Sequence, residues 1–293
     1  MATQSIPYEN ATQPIGTTTP VRGKAGKGAI YVILTIVGIM WIIPILWSID
    51  TAFKPESETT TIPVSWIPTH FSLQAFAEVF QAGDLPRWYF NSIVTTVLIT
   101  VLVVLLSSMA AFAFSRIEFR GRGIVFWIIL AGIMVPAPIL IVPLFTEMQT
   151  FGLIDNYWAI ILPQLASPVA VFIFKQFFDG LPPELEESAR MDGASPWSIY
   201  WRIWMPLSRP AIAAVAVFIF VAAWNNFVWP FIAVTSTWNM TLPVGLATVQ
   251  TSYGVHYAQI MASAILGGLP TLIAFLFFQR QIVQGFAGSG LKD

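Results

Sequence analysis

The chain has 293 residues, of which 56% are hydrophobic and only 10% are charged, and its mean hydropathy is +0.72. Soluble domains carry about 25% charged residues, so this composition excludes an ordinary soluble fold and places most of the chain in lipid. The net charge of −1 argues against nucleic-acid binding, because no basic excess can neutralise phosphates. The chain has no Cys and only His70 and His256. Disulfides and Cys-ligated zinc are therefore excluded, and a His-based metal or catalytic cluster is not expected.

Residues 1–28 are rich in Thr, Gly, Pro and Gln, and they show no hydrophobic periodicity. This composition predicts a disordered cytoplasmic tail. A cleaved signal peptide is the alternative, but the following apolar run is too long for one and no small-residue cleavage site follows it. The glycines and lysines between Gly23 and Gly28 do not form a phosphate-binding loop, since no Ser or Thr follows the Lys and no strand precedes it.

Six apolar segments predict an all-α integral membrane protein with six transmembrane helices, within residues 29–285. Each segment is long enough for a span, which takes about 20 helical residues. The segments are apolar on every face, whereas the strands of a membrane barrel alternate with a period of two. Apart from Lys175, none contains a charged residue. The predicted spans are 29–49, 92–114, 123–145, 158–178, 211–235 and 260–278.

The distribution of Lys and Arg predicts the orientation of these spans. If the N-terminal tail is cytoplasmic, only Lys54 and Arg87 lie outside, as the positive-inside rule requires. Both termini, including a C-terminal tail at 286–293, are then cytoplasmic in the cell membrane. The loop 51–90 lies outside, and apolar residues at helical spacing between Phe71 and Phe80 predict a short helix at the membrane interface. The basic residues placed inside are Arg22, Lys24, Lys27, Arg116, Arg120, Arg122, Lys175, Arg190, Arg202, Arg209, Arg280 and Lys292.

A charged island at 179–210 interrupts the apolar sequence. Pro182 and Pro183 suit the first turn of a helix, and Glu186 and Arg190 stand four residues apart in the favourable order. Gly193 is the natural left-handed cap at the end of this helix. The acidic residues of its first turn, where the helix dipole favours negative charge, are Glu184, Glu186 and Glu187.

A second short helix is predicted after Gly193. Ser195 can cap it, Pro196 suits its first position, and it is expected to run as far as Pro206. Such a capped helical hairpin between two spans has the shape of a docking element. A plain connector is an equally good interpretation on periodicity alone. An enzyme site built on the glutamates is disfavoured, since they lie on a helix expected to be exposed and without a buried partner.

The island resembles the EAA motif of the permease subunits of bacterial ABC importers. The motif spans 20 positions, which makes the resemblance specific. Two residues depart from it, Ser188 where Ala is common and Met205 where Leu is common. The residues that carry it, together with the neighbouring Asp192, are Glu187, Ser188, Ala189, Gly193, Ile203 and Pro206.

Three further stretches resemble the carbohydrate branch of these permeases, of the MalG-like type, so that the resemblance covers residues 29–293. Asn226 stands where an acidic residue is often found. The matching residues are Trp224, Asn225, Asn226, Phe227, Trp229 and Pro230, then 241–246, and finally Gly285 to Gly288 with Lys292.

The resemblance implies a type I importer of sugars. Such an importer contains a second permease subunit, two copies of a cytoplasmic ATPase and an extracytoplasmic solute-binding protein. It implies that Glu187 docks in the ATPase, that ATP and Mg²⁺ are bound by the ATPase, and that this chain is not an enzyme and carries no cofactor. An alternative substrate is a non-sugar solute such as a glycerophosphodiester. The residues implied to contact the binding protein are Thr241, Leu242, Pro243, Val244, Gly245 and Tyr253.

Polar and aromatic side chains within the spans are candidates for the solute path, since such groups usually face the interior of a membrane bundle. They are Asn91, Trp224, Asn225, Asn226 and Trp229. Hydrogen bonding between helices is the alternative role for each. A secondary transporter is disfavoured because the spans carry almost no ionisable groups for ion coupling. A membrane scaffold or sensor is the third class of function.

Overall fold

A computed structural model describes residues 24–63, 65–249 and 255–287, with side chains described from Gly28 to Gln279. Every regular element in these ranges is a helix. Most of the predicted N-terminal tail, most of the predicted C-terminal tail and Tyr253 lie outside the described residues.

Single 3₁₀ turns extend two of the helices, at Gly132–Met134 and Leu162–Gln164. A five-residue π-helical segment, Tyr200–Trp204, connects the helices Pro196–Ile199 and Met205–Leu207. The α-helices are α1 Lys24–Ala52, α2 Glu56–Thr59, α3 Gln74–Ala82, α4 Leu85–Arg116, α5 Arg122–Ala131, α6 Ala137–Thr150, α7 Tyr157–Ile161, α8 Pro168–Asp179, α9 Glu184–Met191, α10 Pro196–Ile199, α11 Met205–Leu207, α12 Arg209–Trp224, α13 Val228–Ala233, α14 Leu242–Thr248 and α15 Tyr257–Ala287.

Three helices are long and apolar enough to cross a membrane singly, and three bent helix pairs meet the same test together. In the described part of the chain these make six segments, which confirms the predicted all-α fold with six spans. The single helices are Gly28–Ala52, Leu85–Arg116 and Tyr257–Gln279. The pairs are Arg122–Met134 with Ala137–Thr150, Tyr157–Gln164 with Pro168–Asp179, and Pro196–Leu207 with Arg209–Trp224, bent by 105°, 46° and 77°.

Bends lie within the segments predicted at 123–145 and 158–178, whereas the 77° bend of the third pair lies before the predicted span 211–235, which corresponds to α12 and α13. Val135 is extended, with ψ 115°, because the ring of Pro136 disfavours helical backbone in the residue before it. Ser167 likewise precedes Pro168 and caps α8, its Oγ accepting a hydrogen bond from the Ala170 backbone N–H. In the fifth segment α12 ends at Trp224, and α13 begins only at Val228.

Helix α4 lies at the centre of the bundle, and α8, α12 and α14 pack against it. It begins at Leu85, earlier than the predicted residue 92, because Asp84 accepts a hydrogen bond from the Arg87 N–H and Pro86 lies in the first turn. With 32 residues it is about 48 Å long, so it joins both ends of the bundle. Its buried face is rich in small and β-branched residues that allow close helix contacts, including Thr95, Thr96, Val103, Ser107, Ser108 and Ala111.

The segment before α4 packs on α15. Helix α3 confirms the short helix predicted near 71–80, but Ala75 and Val79 are buried against the bundle, so the helix is not a purely interfacial one. The Glu56 carboxylate accepts hydrogen bonds from the backbone N–H groups of Tyr257 and Ala258, at 2.7 and 2.9 Å. A carboxylate here satisfies the free N–H groups at the start of α15 and favours its dipole.

The described part of the chain divides into two compact units, with the boundary between Trp47 and Ser48. In the first unit, α1 exposes apolar side chains all around, including Tyr31 and Trp41. A helix of this kind suits a surrounding of lipid or of another membrane chain.

Candidate functional site

The charged island forms a helical hairpin, which we define as residues 184–207. Helix α9 begins after Pro183 and ends at a turn in which Gly193 has a φ of +79°, a conformation that favours glycine. The Ala194 N–H donates to the Ala189 carbonyl at 2.9 Å and closes the turn. The Ser195 Oγ accepts a hydrogen bond from the Ser198 N–H at 3.2 Å and caps the next helix, as the sequence predicts.

The second arm of the hairpin ends at Leu207, one residue beyond the predicted end at Pro206. The π-helical segment allows the Met205 N–H to donate to the Tyr200 carbonyl, five residues back. Pro206 has no N–H, so the wider turn passes it without leaving a donor unpaired. The chain bends after Leu207, where the Ser208 Oγ donates to the Trp204 carbonyl at 2.7 Å.

A buried hydrogen bond ties this arm to the centre of the bundle. The hydroxyl groups of Tyr200 and Ser108 lie 2.8 Å apart, and both residues are almost fully buried. Next to them the Trp204 ring packs against Phe112 and Phe178, with ring centroids 6.2 and 5.5 Å apart. The hairpin is therefore packed onto α4 and α8 through large, inflexible side chains.

Arg116, the last residue of α4, connects three elements. Its Nη2 donates to the Phe178 and Leu181 carbonyls at 2.6 and 3.0 Å, which satisfies backbone at the end of α8. Its guanidinium lies 4.1 Å from the Trp204 ring centroid, and its Nε lies 3.9 Å from the Glu186 Oε2. No sequence signal indicates this role beyond the presence of an Arg at the end of a predicted span.

The glutamates of α9 were expected to be exposed and without a buried partner, and for Glu186 this expectation is wrong. Its side chain is buried and accepts two hydrogen bonds from Arg190, at 2.6 and 3.0 Å, in addition to the contact with Arg116. Glu184 and Glu187 are exposed. The predicted pair of Glu186 and Arg190 is therefore formed, whereas Glu187 lies on the exposed side of α9.

The outer face of the hairpin combines acidic and apolar groups. Met191 is 87% exposed and Trp197 is 58% exposed, whereas Ala189 and Ile203 are half-buried. Large apolar side chains held in the open on a rigid, capped turn are typical of a protein-binding surface. The exposed residues of the predicted coupling motif are Glu187, Ser188, Asp192, Gly193 and Pro206.

At the other end of α4, Asn91 is fully buried and uses its whole amide within the protein. Its Nδ2 donates to the carbonyls of Trp238 and Met240 at 2.9 and 2.8 Å, and its Oδ1 accepts from the Tyr157 hydroxyl. Asn91, predicted as a solute-path residue, therefore holds the backbone of residues 238–240 in place.

Three other predicted solute-path residues also hydrogen-bond between helices. The Trp224 Nε1 donates to the Gly267 carbonyl, and the Trp229 Nε1 donates to the Ala159 carbonyl, at 3.2 and 2.9 Å. The Asn226 Nδ2 donates to the Gln164 Oε1 at 2.9 Å. Asn225 differs, since it is exposed and lines a cavity of about 440 Å³ between the end of α12, α14 and α15.

The segment implied to contact a binding protein is largely inside the bundle. Thr241, Leu242, Val244 and Gly245 are buried, and Pro243 lines the cavity. The Leu242 N–H donates to the Ser92 Oγ at 2.7 Å, and Gly245 packs directly on the Trp88 ring.

The described residues include no group of three or more His, Cys, Asp or Glu side chains that could hold a metal ion. The described residues thus form an all-helical bundle with a capped, exposed hairpin at one end.

The chain belongs to the family described as the binding-protein-dependent transport system inner membrane component, whose model matches residues 103–285. The arabinooligosaccharides transport system permease protein AraQ of Halalkalibacterium halodurans is 37% identical over 86% of this chain and 91% of its own length. AraQ of Bacillus subtilis is 35% identical over 90% of this chain and 95% of its own. The lactose transport system permease protein LacG of Rhizobium radiobacter is 33% identical, over 88% and 94%.

A solved structure supports the fold. A chain of a bacterial ABC transporter involved in the import of the acidic polysaccharide alginate superposes with a TM-score of 0.78. The match covers 89% of this chain and 99% of that one, at 23% identity. The chain described here is thus a multi-pass membrane component of a binding-protein-dependent ABC importer.

Proposed function

We propose that this chain is one of the two permease subunits of an importer that carries sugars into the cell. The observation that carries the proposal is the hairpin, which exposes Glu187, Met191 and Trp197 on one side and is anchored to α4 on the other. The permease relatives named for arabinooligosaccharides and lactose support a sugar as the solute. A glycerophosphodiester is not favoured by these relatives.

The proposed partners are a second permease, two copies of a cytoplasmic ATPase and an extracytoplasmic solute-binding protein. ATP and Mg²⁺ would be held by the ATPase, which performs the hydrolysis. Basic residues support a cytoplasmic hairpin, since Arg116, Lys175 and Arg190 lie at the hairpin end of the bundle. Arg87 lies at the opposite end, next to Trp238, and both termini are cytoplasmic in this arrangement.

Transport then follows from the connections of the hairpin. Closure of the ATPase pair moves the exposed side of α9 that carries Glu187 and docks on the ATPase. Helix α9 transmits the movement because its C-terminal cap and the pair of Glu186 with Arg190 keep it rigid. Arg116 and Tyr200 pass the displacement to α4 and α8, which changes the opening of the bundle. Alternating access by tilting of packed helices requires rigid connections of this kind.

Contact with the binding protein is proposed for the loops at the Arg87 end of α4. Trp238 is 59% exposed there, and the Arg87 guanidinium stacks 4.0 Å from its ring centroid. The position of Trp238 is held by Asn91, which donates hydrogen bonds to the Trp238 and Met240 carbonyls. The segment 241–245, which follows directly, is largely buried.

Reconstitution tests the proposal. The chain is assembled in liposomes with its partner permease, its ATPase and its binding protein, and uptake of labelled arabinotriose and lactose is measured with and without internal ATP. ATP-dependent uptake that requires the binding protein is expected. Uptake that persists without ATP and follows a proton or sodium gradient would instead identify a secondary transporter.

A further inference from the structure

Helix α15 has a proline, Pro270, in its interior, within a segment long and apolar enough to span a membrane. Proline has no N–H, so the carbonyl four residues earlier, that of Leu266, has no donor within the helix. In lipid this carbonyl needs a donor from a neighbouring helix, because no water reaches it. The Tyr89 hydroxyl of α4 donates to it at 2.6 Å. A side chain of another helix therefore closes the gap that Pro270 opens.

The next carbonyl of α15 is held in a similar way. The Trp224 Nε1, at the end of α12, donates to the Gly267 carbonyl at 3.2 Å. Trp224 is 2% exposed and its ring stacks on Phe220 with centroids 6.0 Å apart, which fixes the position of the indole. Two aromatic donors from two helices thus hold two consecutive carbonyls of α15, directly before Pro270.

Helix α15 is intrinsically weak at the same point. Gly267 and Gly268 precede Pro270, and glycine is about 1 kcal/mol less favourable than alanine in a helix. A Cβ on Gly268 would meet nothing within 4 Å, and the cavity that Asn225 lines lies beside both glycines. Bending here therefore meets little packing on that side. Sharp kinks in long helices occur at proline and glycine residues.

The two halves of α15 are packed differently. In the first half Ala258 and Ala262 are almost fully buried, and the Glu56 carboxylate holds the first turn. In the second half no residue from 271 to 279 is buried, and most of these side chains are large and apolar. The first half therefore belongs to the packed bundle, whereas the second half is not held by the core of its own chain.

We propose that residues 267–270 form a hinge, about which the second half of α15 changes direction between the two states of transport. Tyr89 and Trp224 are the positioning residues of this hinge. Their hydrogen bonds fix the end of the first half, so that the movement is confined to the second half. The inference rests on the proposed function, and it names an element of this subunit that moves during the ATPase cycle.

Replacing the proline is the first test, in the reconstituted complex with its ATPase and binding protein. Pro270→Ala introduces the missing N–H, which pairs with the Leu266 carbonyl and stiffens α15. ATP-dependent uptake of labelled arabinotriose or lactose is expected to fall roughly fivefold, which corresponds to a barrier about 1 kcal/mol higher. The melting temperature should not fall. Pro143→Ala is the control, because Pro143 also lies inside an apolar helix, and its uptake should stay close to wild type.

A double substitution tests the role of Tyr89. Tyr89→Phe keeps the ring but leaves the Leu266 carbonyl without a donor, so the melting temperature of the solubilised complex should fall by roughly 2–4 °C. Adding Pro270→Ala supplies an N–H to this carbonyl, so the melting temperature should recover while uptake stays low. Tyr31→Phe is the control, since Tyr31 is 69% exposed. The same loss with and without Pro270→Ala would overturn the role of Tyr89.

Spin labels measure the movement directly. The chain contains no Cys, so Phe277→Cys or Tyr257→Cys is paired with Arg120→Cys, all three at exposed positions, in a complex whose partners carry no Cys. A rotation of roughly 20–30° at Pro270 displaces residue 277, about 10 Å further along the helix, by roughly 4–5 Å. Between nucleotide-free and vanadate-trapped states, the 277–120 distance should change by up to this amount and the 257–120 distance should not. Pro270→Ala should suppress the change.

The outcomes separate the hinge from the proposed function. ATP-dependent sugar uptake by the wild-type complex, combined with full uptake in Pro270→Ala, overturns the hinge and leaves the proposed function standing. Equal changes of the two distances would show that α15 tilts as one rigid helix, which also overturns the hinge alone. Failure of the wild-type complex to import any sugar overturns the proposed function and the part of the hinge in transport with it.

Discussion

Arg116 and Glu186 connect the end of α4 with the hairpin, the Arg116 Nε lying 3.9 Å from the Glu186 Oε2. Both side chains are largely buried, and each has a second partner, the α8 carbonyls for Arg116 and Arg190 for Glu186. The contact therefore belongs to a network that joins α4, α8 and α9. We expect a force applied to α9 to reach the centre of the bundle through this network.

Arg116→Ala should weaken this connection. It removes two charge-assisted hydrogen bonds to the end of α8 and leaves Glu186 with Arg190 alone. Hydrogen bonds to charged groups contribute about 1.5–3 kcal/mol each, so a loss of roughly 3–6 kcal/mol in unfolding free energy is expected for the two. Thermal unfolding of the complex in detergent measures it. Arg120→Ala is the control, since Arg120 is exposed and follows α4 by a few residues; equal melting temperatures for the two variants would contradict the network.

Gly245→Ala should destabilise the α14 region. A Cβ at this position would lie 2.1 Å from the Trp88 Cδ2, and the Trp88 Nε1 is itself held by the Thr237 carbonyl at 3.1 Å. The ring cannot move aside without losing that bond, and overpacking typically costs about 1–3 kcal/mol. The melting temperature of the solubilised complex is the measurement, with Gly123→Ala as control. A stability unchanged from the wild type would show that Trp88 relaxes freely.

The elements that depend on local chemistry were predictable from sequence. Gly193 and Ser195 form the expected caps because a cap is decided by a few neighbouring residues. The six apolar segments follow from composition, but the break at Pro136 was not predicted, because prolines in membrane helices cause anything from no bend to a full interruption.

The parts that depend on distant residues were not predictable. Arg116 bonds to carbonyls 62 and 65 residues away, and Asn91 bonds to carbonyls 147 and 149 residues away. A single sequence contains no sign of such pairs. For the same reason Asn91 and Asn225 look equivalent in the sequence, as polar residues in or beside a span. Only the structure shows that the Asn91 amide is hydrogen-bonded within the bundle and that Asn225 lines a cavity.

The segment before α3 should respond to acid. Hydrogen bonds from Thr69 and then from His70 hold the pKa of the Glu58 carboxyl at about 2, below its usual 4.5. Because the pKa is lowered by folding, the stabilisation is complete above pH 4.5 and is lost as the pH falls through about 2. NMR titration of ¹³C-labelled glutamate carboxyls, assigned with Glu58→Gln, measures the value. His70→Ala should raise it toward 4.5, and an unaltered titration in that variant would contradict the pair.

The central claim is that the exposed Glu187 face couples this chain to an ATPase, and a comparison of two exposed glutamates on α9 tests it. Glu187→Ala and Glu184→Ala remove the same charge from the same helix, and neither residue takes part in the buried Glu186 network. The decisive measurement is ATPase activity of the reconstituted complex with and without the loaded binding protein. We expect Glu187→Ala to abolish the stimulation and the uptake, with Glu184→Ala close to wild type. Full stimulation and uptake in Glu187→Ala would contradict the account.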